Sequence, residues 1–291
     1  MKERKKRTAD YFDPKRRDIP YPEFTDGHYI PFDDSGIGRF DREYPYIDRS
    51  PGFRLLRGIA GLLMTAIVFP ATRVHLGLRV RGRRNLRKYK KELRGGAISC
   101  SNHVAMWDFL AVSYALRPRK MHVPVLAANV SGIYGPLVRM AGGIPLPEEN
   151  VHATIACQKQ IGELLKQGGW LHIYPEGSLW EYYAPIRPFK PGAAYFACRY
   201  EKPLLPMAFS YRRAGVLRRR IFHQPACYTL SIGTPLYPDD SLPMAERQED
   251  LLRRAHASVC ILAGIPPEKN LYPPIFHHNE KIEEEAAARS V

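Results

Sequence analysis

The stretch AISCSNHVAMWDFLAVSYAL, residues 97–116, decides the fold class of this 291-residue chain. Its apolar start, Ala97–Cys100, is typical of a short buried strand, and Trp107–Leu116 has the periodicity of a helix. A polar loop separates the two, and the same alternation of apolar strands with helical stretches continues to about residue 262. Such alternation is typical of α/β proteins. The sequence therefore predicts an α/β fold with a mixed central β-sheet flanked by helices.

The polar loop of this stretch ends in a histidine and, five residues later, an aspartate at the start of the predicted helix: His103 and Asp108. A carboxylate bonded to one imidazole nitrogen fixes the tautomer, and the other nitrogen is then free to remove a proton from a hydroxyl group. The same spacing is also common where an aspartate caps a helix beside a surface histidine. Taken alone, the pair leaves both interpretations open.

A second strand runs into a tight loop at Trp170-Leu-His-Ile-Tyr-Pro-Glu-Gly-Ser178. Gly177 permits close approach of a ligand to the backbone, and the neighbouring Glu176 can accept or orient hydrogen bonds. Open α/β sheets hold their ligands beyond the carboxyl ends of the strands, which is where this loop lies. The loop is therefore a second candidate part of a functional site.

The net charge of +15 is concentrated in residues 51–95, which hold twelve Lys or Arg residues and one acid, Glu92. The same segment contains the longest apolar run, Gly58–Thr72. These 15 residues fall short of the roughly 20 that a spanning helix needs, and Pro70 disfavours continuation of the helix. We therefore expect an interfacial helix in one leaflet, followed by basic residues attracted to anionic lipid. A buried core helix with a solvated basic loop, or a nucleic-acid patch, are the alternatives.

The remaining segments complete the predicted domain organisation. Residues 1–50 lack any helical or alternating period and predict an extended N-terminal arm, whereas 51–95 form the basic membrane-anchoring segment. Residues 96–265 form the α/β domain, and 266–291 form a polar C-terminal tail. Five widely spaced cysteines without a C-x-x-C pair favour reduced thiols, and no secretory signal is visible. We therefore expect a membrane-associated protein on the cytoplasmic face.

Five segments, in the same order, make the chain resemble the glycerolipid and lysophospholipid acyltransferase family. They cover about residues 78–240. They are Asn102-His103-x4-Asp108, Tyr174-Pro-Glu-Gly-Ser178, Phe189-Lys-Pro-Gly192, Leu204-Leu-Pro-Met207 and Leu230-Ser-Ile-Gly-Thr-Pro-Leu236. The resemblance favours the catalytic interpretation of His103 over that of a surface histidine.

The resemblance implies transfer of a fatty acyl group from a thioester to a lipid hydroxyl, in phospholipid biosynthesis. His103 would be the general base and Asp108 its orienting partner, and Glu176 would complete the catalytic set. The implied substrate-binding residues are Asn102, Gly177, Ser178, Lys190 and Pro206. The implied partners are membrane lipids and either acyl-CoA or acyl-carrier protein as co-substrate, with no metal, no cofactor and no nucleic acid.

Two positions depart from the family pattern, because Glu148 and Leu179 stand where arginines are usual. Their loss removes two bidentate contacts to a phosphate group. Lys190, Arg187 and Arg139 are candidate replacements. The acceptor therefore stays open between 1-acylglycerol-3-phosphate, or a related lysolipid, and a non-phosphate acceptor such as a glycolipid or an aminolipid.

Two further classes of function remain open at this stage. A metal-dependent hydrolase would use His103, Asp108 and Glu176 as ligands, although no further pair of clustered histidines accompanies them. A non-enzymatic membrane or nucleic-acid adaptor would need only the charge of residues 51–95 and would not depend on His103.

Overall fold

The structure, a computed structural model, describes residues 11–14, 21–25, 27, 40–131, 133–147 and 150–271. The positions of Glu148 and of most of the predicted C-terminal tail, 272–291, lie outside the described residues.

A seven-stranded sheet forms the centre of the molecule, in the order β1-β7-β6-β2-β5-β3-β4. Strands β6 and β7 pair antiparallel, and the other neighbours pair parallel. The predicted α/β fold with a mixed sheet is confirmed. The strands are β1 Arg79–Arg81, β2 Ala97–Cys100, β3 Met121–Leu126, β4 Gly143–Leu146, β5 Trp170–Ile173, β6 Leu204–Arg213 and β7 Ala226–Ile232.

Helices cover both faces of this sheet. They are α1 Pro51–Leu63, α2 Phe69–His75, α3 Arg83–Lys88, α4 Asp108–Leu116, α5 Ala128–Ser131, α6 Gly135–Met140, α7 Val151–Lys166, α8 Gly192–Arg199, α9 Val216–Phe222 and α10 Met244–Ala263. On one face α4 packs Val112 and Leu116 against the sheet. On the other face α7 and α10 bury Ile161, Leu165 and Val259. Two apolar layers therefore fix the sheet from both sides.

The long N-terminal helix runs through Pro70 without a break. A π-helical turn, Met64–Val68, joins α1 to α2, and Phe69 N–H donates to the carbonyl of Met64 five residues earlier. Proline lacks an N–H and its ring crowds the preceding turn, and the wider π turn accommodates it. The prediction that Pro70 ends the helix is wrong, because this local widening removes the clash.

The continuous helix Pro51–His75 has 25 residues and is long and apolar enough to cross a membrane, by length and composition. Most of its side chains are exposed, including Leu62, Leu63 and Ile67. Arg57 attaches it to the body, since its guanidinium contacts His122 Nε2 at 2.6 Å and donates to the Met121 carbonyl at 3.1 Å. The expectation that the helix lies in one leaflet stays a prediction.

The described parts of residues 1–50 pack onto the body through aromatic side chains. Tyr46 is buried in the core beside α7, and the Gln160 side chain donates to the Tyr44 carbonyl at 3.0 Å. Tyr21 stacks on Trp180 with ring centroids 5.4 Å apart. The arm therefore contributes to the fold of the domain that follows it.

The parallel strands β2, β3, β5 and β6 all end at one edge of the sheet, which we call the carboxyl edge. The loops that follow Cys100, Leu126, Ile173 and Arg213 therefore leave the sheet on the same side. The two motif-bearing loops, after β2 and after β5, are neighbours because β2 and β5 pair directly.

Candidate active site

His103 and Asp108 lie at the carboxyl edge, where the β2 loop enters α4. His103 Nδ1 is 2.7 Å from Asp108 Oδ2. The same oxygen accepts the Val104 N–H at 3.1 Å, and Asp108 is the first residue of α4. Backbone N–H groups at a helix start favour a negative charge there. The carboxylate is therefore held in place beside the imidazole by the fold of its own loop.

The pair leaves one imidazole nitrogen available for chemistry. An ionised carboxylate only accepts hydrogen bonds, so Nδ1 of His103 carries the proton that points to Asp108. The Asp108 side chain is 0% exposed, whereas that of His103 is 23% exposed. Nε2 of His103 is consequently unprotonated in the neutral ring and belongs to a side chain that solvent or a substrate can reach. This is the arrangement of a general base.

Glu176 holds the histidine loop through its backbone. Its Oε2 accepts the N–H of His103 at 3.0 Å and the Arg187 Nη2 at 2.9 Å, and its Oε1 accepts the N–H of Arg187 at 2.9 Å. The Glu176 carboxylate is almost fully buried. Both oxygens are used inside the protein, so Glu176 joins the β2 and β5 loops, and a direct part of Glu176 in the reaction stays a prediction.

Arg187 forms the other half of this buried ion pair. Its guanidinium donates to Ser178 Oγ at 2.7 Å and lies over the ring of Trp180, 4.4 Å from the centroid. Only 1% of the residue is exposed. The suggestion that Arg187 replaces a phosphate-binding arginine is wrong, because its guanidinium N–H groups already donate to Glu176 and Ser178. Arg139 is likewise engaged, with Tyr44 and the Pro45 carbonyl.

Asn102 fixes the same loop to strand β6. Its Nδ2 donates to the carbonyl of Phe209 at 3.1 Å, and its Oδ1 accepts the N–H of Phe209 at 2.8 Å. The side chain is buried and both ends of its amide are satisfied. Asn102 therefore holds the His103 loop against β6, and a direct contact with substrate stays a prediction.

Gly177 and Lys190 form the accessible side of the β5 loop. Gly177 has a φ of +80° and is exposed, a backbone conformation that favours glycine. A Cβ added there would meet Lys190 Cε at 2.9 Å and Nζ at 3.0 Å. The backbone holds Lys190 here, because its N–H donates to the Pro175 carbonyl at 2.7 Å. An ammonium group thus lies directly against the exposed glycine.

The other predicted substrate-binding residues lie deeper. Ser178 is buried beneath the loop as an acceptor for Arg187. Pro206 is buried in β6 opposite Cys100, and its carbonyl accepts the N–H of Gly233 at 2.9 Å. Leu179, at the second departing position, is partly buried. The structure brings Ser178 into the ion-pair cluster and leaves Pro206 in the sheet.

The sequence alone assigned no role to two residues of β5 and its loop, Tyr174 and His172. The Tyr174 ring stacks on His103, with centroids 4.0 Å apart and planes at 14°, and His172 meets the Tyr174 ring edge-on at 4.5 Å. Burial, and then the charge of Asp108, raise the pKa of Tyr174 well above 10. The sequence does indicate that His172 and Tyr174 lie together near the site. Residues two apart on a strand face the same side, and these two come just before Pro175.

His172 supports the site as a neutral, fully buried ring. Its Nδ1 lies 2.9 Å from Ser99 Oγ and its Nε2 lies 3.3 Å from Ser101 Oγ. Burial lowers the pKa of His172 to about 3, so the ring is uncharged at neutral pH. Its two hydroxyl partners join β2 to β5 beneath the His103 loop.

Metal binding has little support in this arrangement. Across the described ranges, no group of three or more His, Cys, Asp and Glu residues is placed to hold a metal ion. His103 and Asp108 converge, but the Glu176 oxygens face Arg187 and the backbone of the loop. The three residues do not form a common ligand set.

The neutral state of His172 predicts a loss of stability in acid. Between pH 6.5 and 3 the histidine binds a proton in the unfolded chain but stays neutral in the folded protein. The free energy of unfolding therefore decreases as the pH falls through this range. We expect chemical denaturation in detergent to show a loss of roughly 3 kcal/mol between pH 6.5 and pH 4 from this group. The His172→Gln variant should lose less stability over this pH range. The exposed control His152→Gln should lose as much as the unaltered protein. Equal acid sensitivity of all three proteins would contradict a neutral, buried His172.

The sequence of the central segment matches a known family. Residues 77–210 match the sequence model of the Acyltransferase family. The structure is also similar to the crystal structure of the 1-acyl-sn-glycerophosphate (LPA) acyltransferase PlsC from Thermotoga maritima, at 16% sequence identity and a TM-score of 0.45, covering 74% of this chain and 84% of that one. The family match contains both the His103–Asp108 loop and the Glu176–Arg187 ion pair. The segment 77–210, a little under half of the chain, therefore resembles the acyltransferase family.

Proposed function

We propose that this acyltransferase moves a fatty acyl group from an acyl thioester to the hydroxyl of a lysophospholipid at a membrane surface. The acceptor is 1-acylglycerol-3-phosphate or a related lysolipid, and the reaction serves phospholipid biosynthesis. The single observation that carries the proposal is the His103–Asp108 contact of 2.7 Å at an accessible position. It supplies a base without a nucleophilic side chain, which suits direct attack by the hydroxyl of the acceptor.

The reaction follows from the free nitrogen of His103. Nε2 removes the proton from the acceptor hydroxyl as its oxygen attacks the thioester carbonyl, which forms a new C–O bond and a tetrahedral oxyanion. The oxyanion collapses, the C–S bond breaks, and the departing thiolate takes the proton from the imidazolium. Asp108 stabilises the imidazolium between these steps, and burial keeps water from weakening that interaction.

The membrane holds the reactants together in this proposal. The helix Pro51–His75 exposes an apolar surface, and the segment 76–95 that follows it is rich in arginine and lysine. All five cysteines are free and buried, which suits the reducing cytoplasmic face. Binding both amphiphiles at one surface replaces a bimolecular encounter in water and accounts for a large part of the rate. The acyl donor is acyl-CoA or acyl-carrier protein.

Lys190 is the cation that we assign to the acceptor phosphate. Arg187 and Arg139 are occupied elsewhere in the fold, whereas the Lys190 ammonium lies against the exposed Gly177. One ammonium gives a point charge in place of a bidentate guanidinium contact. The site therefore favours phosphate-bearing acceptors with less geometric selectivity than a pair of arginines would provide.

Removal of the base should slow acyl transfer strongly without unfolding the protein. We expect His103→Gln to lower kcat by about 10²–10⁴-fold, and Asp108→Asn to lower it strongly because the tautomer is no longer fixed. The assay uses purified protein, labelled acyl-CoA or acyl-carrier protein and a panel of lysolipids, with products identified by mass. His152→Gln, on the exposed face of α7, is the matched control.

Two outcomes of this assay would overturn the proposal. A kcat for His103→Gln equal to that of the unaltered protein would exclude the histidine as base. Release of free fatty acid that a chelator abolishes would instead support the metal-dependent hydrolase. Activity that survives the chelator and yields a diacyl product supports the acyltransferase.

Loss of the ammonium group should act on one class of acceptor. We expect Lys190→Gln to raise the KM for a lysolipid with a terminal phosphate about 10-fold, the effect of one charge-assisted contact. The KM for an uncharged monoacylglycerol should not change. Lys159→Gln, on the exposed face of α7, controls for the change in net charge. An equal effect on both acceptors would show that Lys190 does not bind the phosphate.

A further inference from the structure

Helix α9, Val216–Phe222, has a composition that the catalytic site does not explain. Its sequence is VLRRRIF, and none of its seven residues is buried. Leu217 is 72% exposed and Ile221 is 58% exposed, one turn apart on the same side of the helix. Arg219 and Arg220 lie between them in sequence and are also exposed. Apolar side chains interleaved with arginines are typical of helices that lie in a membrane interface.

The position of α9 connects it to the site. The helix lies between β6 and β7 and follows the end of β6 at Arg213, so it leaves the sheet at the carboxyl edge. The loop with His103 leaves the sheet at the same edge. A surface that rests on α9 therefore lies on the same end of the sheet as the catalytic base.

The end of the long N-terminal helix is fastened to α9. The Arg218 guanidinium donates to the carbonyls of Val74 and His75, the last residues of α2. The ring of His75 meets Phe222 edge-on, with centroids 6.1 Å apart. The contact with His75 pairs a carbonyl at the helix end, whereas the carbonyl of Val74 also accepts the N–H of Gly77. The exposed Val74, at the end of Pro51–His75, thus lies close to α9.

Other exposed apolar side chains lie at the same edge. Met106 and Trp107 precede α4 in the loop of His103, and both are about half exposed. Ile133 and Tyr134 join α5 to α6 after β3 and are among the most exposed apolar residues described. Apolar patches of this kind on a folded domain mark contact surfaces.

We infer that α9 is a second membrane-binding element, which inserts Leu217 and Ile221 among lipid acyl chains and places Arg219 and Arg220 on anionic headgroups. The occupant is an anionic bilayer, because it matches both the apolar side chains and the positive charge of one short helix. With the long helix fastened beside it, α9 turns the carboxyl edge and His103 toward the lipid. The inference rests on the proposal that the enzyme works at a membrane.

The test places a reporter on α9 in the full-length protein. All five native cysteines are buried, so a Leu217→Cys variant carries one exposed thiol for an environment-sensitive fluorophore. With vesicles of phosphatidylcholine and phosphatidylglycerol we expect a blue shift and quenching by nitroxide-labelled lipid chains. Tyr237→Cys, exposed next to Leu236, which pairs with Leu204 at the start of β6 and so lies at the opposite edge of the sheet, should show neither. Arg219→Gln with Arg220→Gln should weaken the signal about 10-fold in the vesicle titration.

The outcomes separate this inference from the proposed function. A fluorophore at 217 that stays water-exposed on vesicles to which the protein is bound overturns the inference. Protection of position 217 by an acidic carrier protein without any lipid quenching also overturns it and assigns α9 to a protein partner. Leu217→Glu with Ile221→Glu should lower acyl transfer to vesicle-borne lysolipid at least 10-fold and leave transfer to a soluble short-chain lysolipid unchanged. If the unaltered protein transfers no acyl group to either, the proposed function fails while the fluorophore still reports on α9.

Discussion

The buried ion pair between Glu176 and Arg187 is the interaction on which the site depends. Its carboxylate joins the N–H of His103, in the loop after β2, to the backbone and guanidinium of Arg187, which follows the β5 loop. Burying two charges costs several kcal/mol, and this cost is offset only where the remaining hydrogen-bond donors also find partners. Here Ser178 accepts a hydrogen bond from Arg187, and the ring of Trp180 lies against its guanidinium. The position of His103 is therefore set by a network of buried contacts between the two loops.

The fold was predictable where the sequence has one dominant local signal. The apolar run Ala97–Cys100 predicted β2 to its ends, because a buried strand leaves little freedom in which residues are apolar. Pro70 misled the prediction, since a π turn makes room for its ring and that widening has no signature in local sequence. Helix α9 was missed because its seven residues are too few to show a period.

The sequence predicted which residues lie at the site better than it predicted what each of them contacts. The motifs named His103, Asp108, Asn102 and Glu176, and the structure brings all four to one edge of the sheet. Sequence spacing could not show that the Asn102 amide is spent on the Phe209 backbone, because that contact joins segments 107 residues apart. The same limit applies to Arg187, whose charge suggested a phosphate ligand and whose burial assigns it to Glu176.

The central claim is that Asp108 holds His103 with Nδ1 protonated and Nε2 free to act as the base. Nuclear magnetic resonance of the protein labelled with ¹⁵N at histidine tests it directly, with His103→Gln to assign the signals. At a pH where the imidazole is neutral, the account predicts a protonated Nδ1 whose proton is shifted downfield by the carboxylate, and an unprotonated Nε2. A neutral ring with its proton on Nε2 would contradict it.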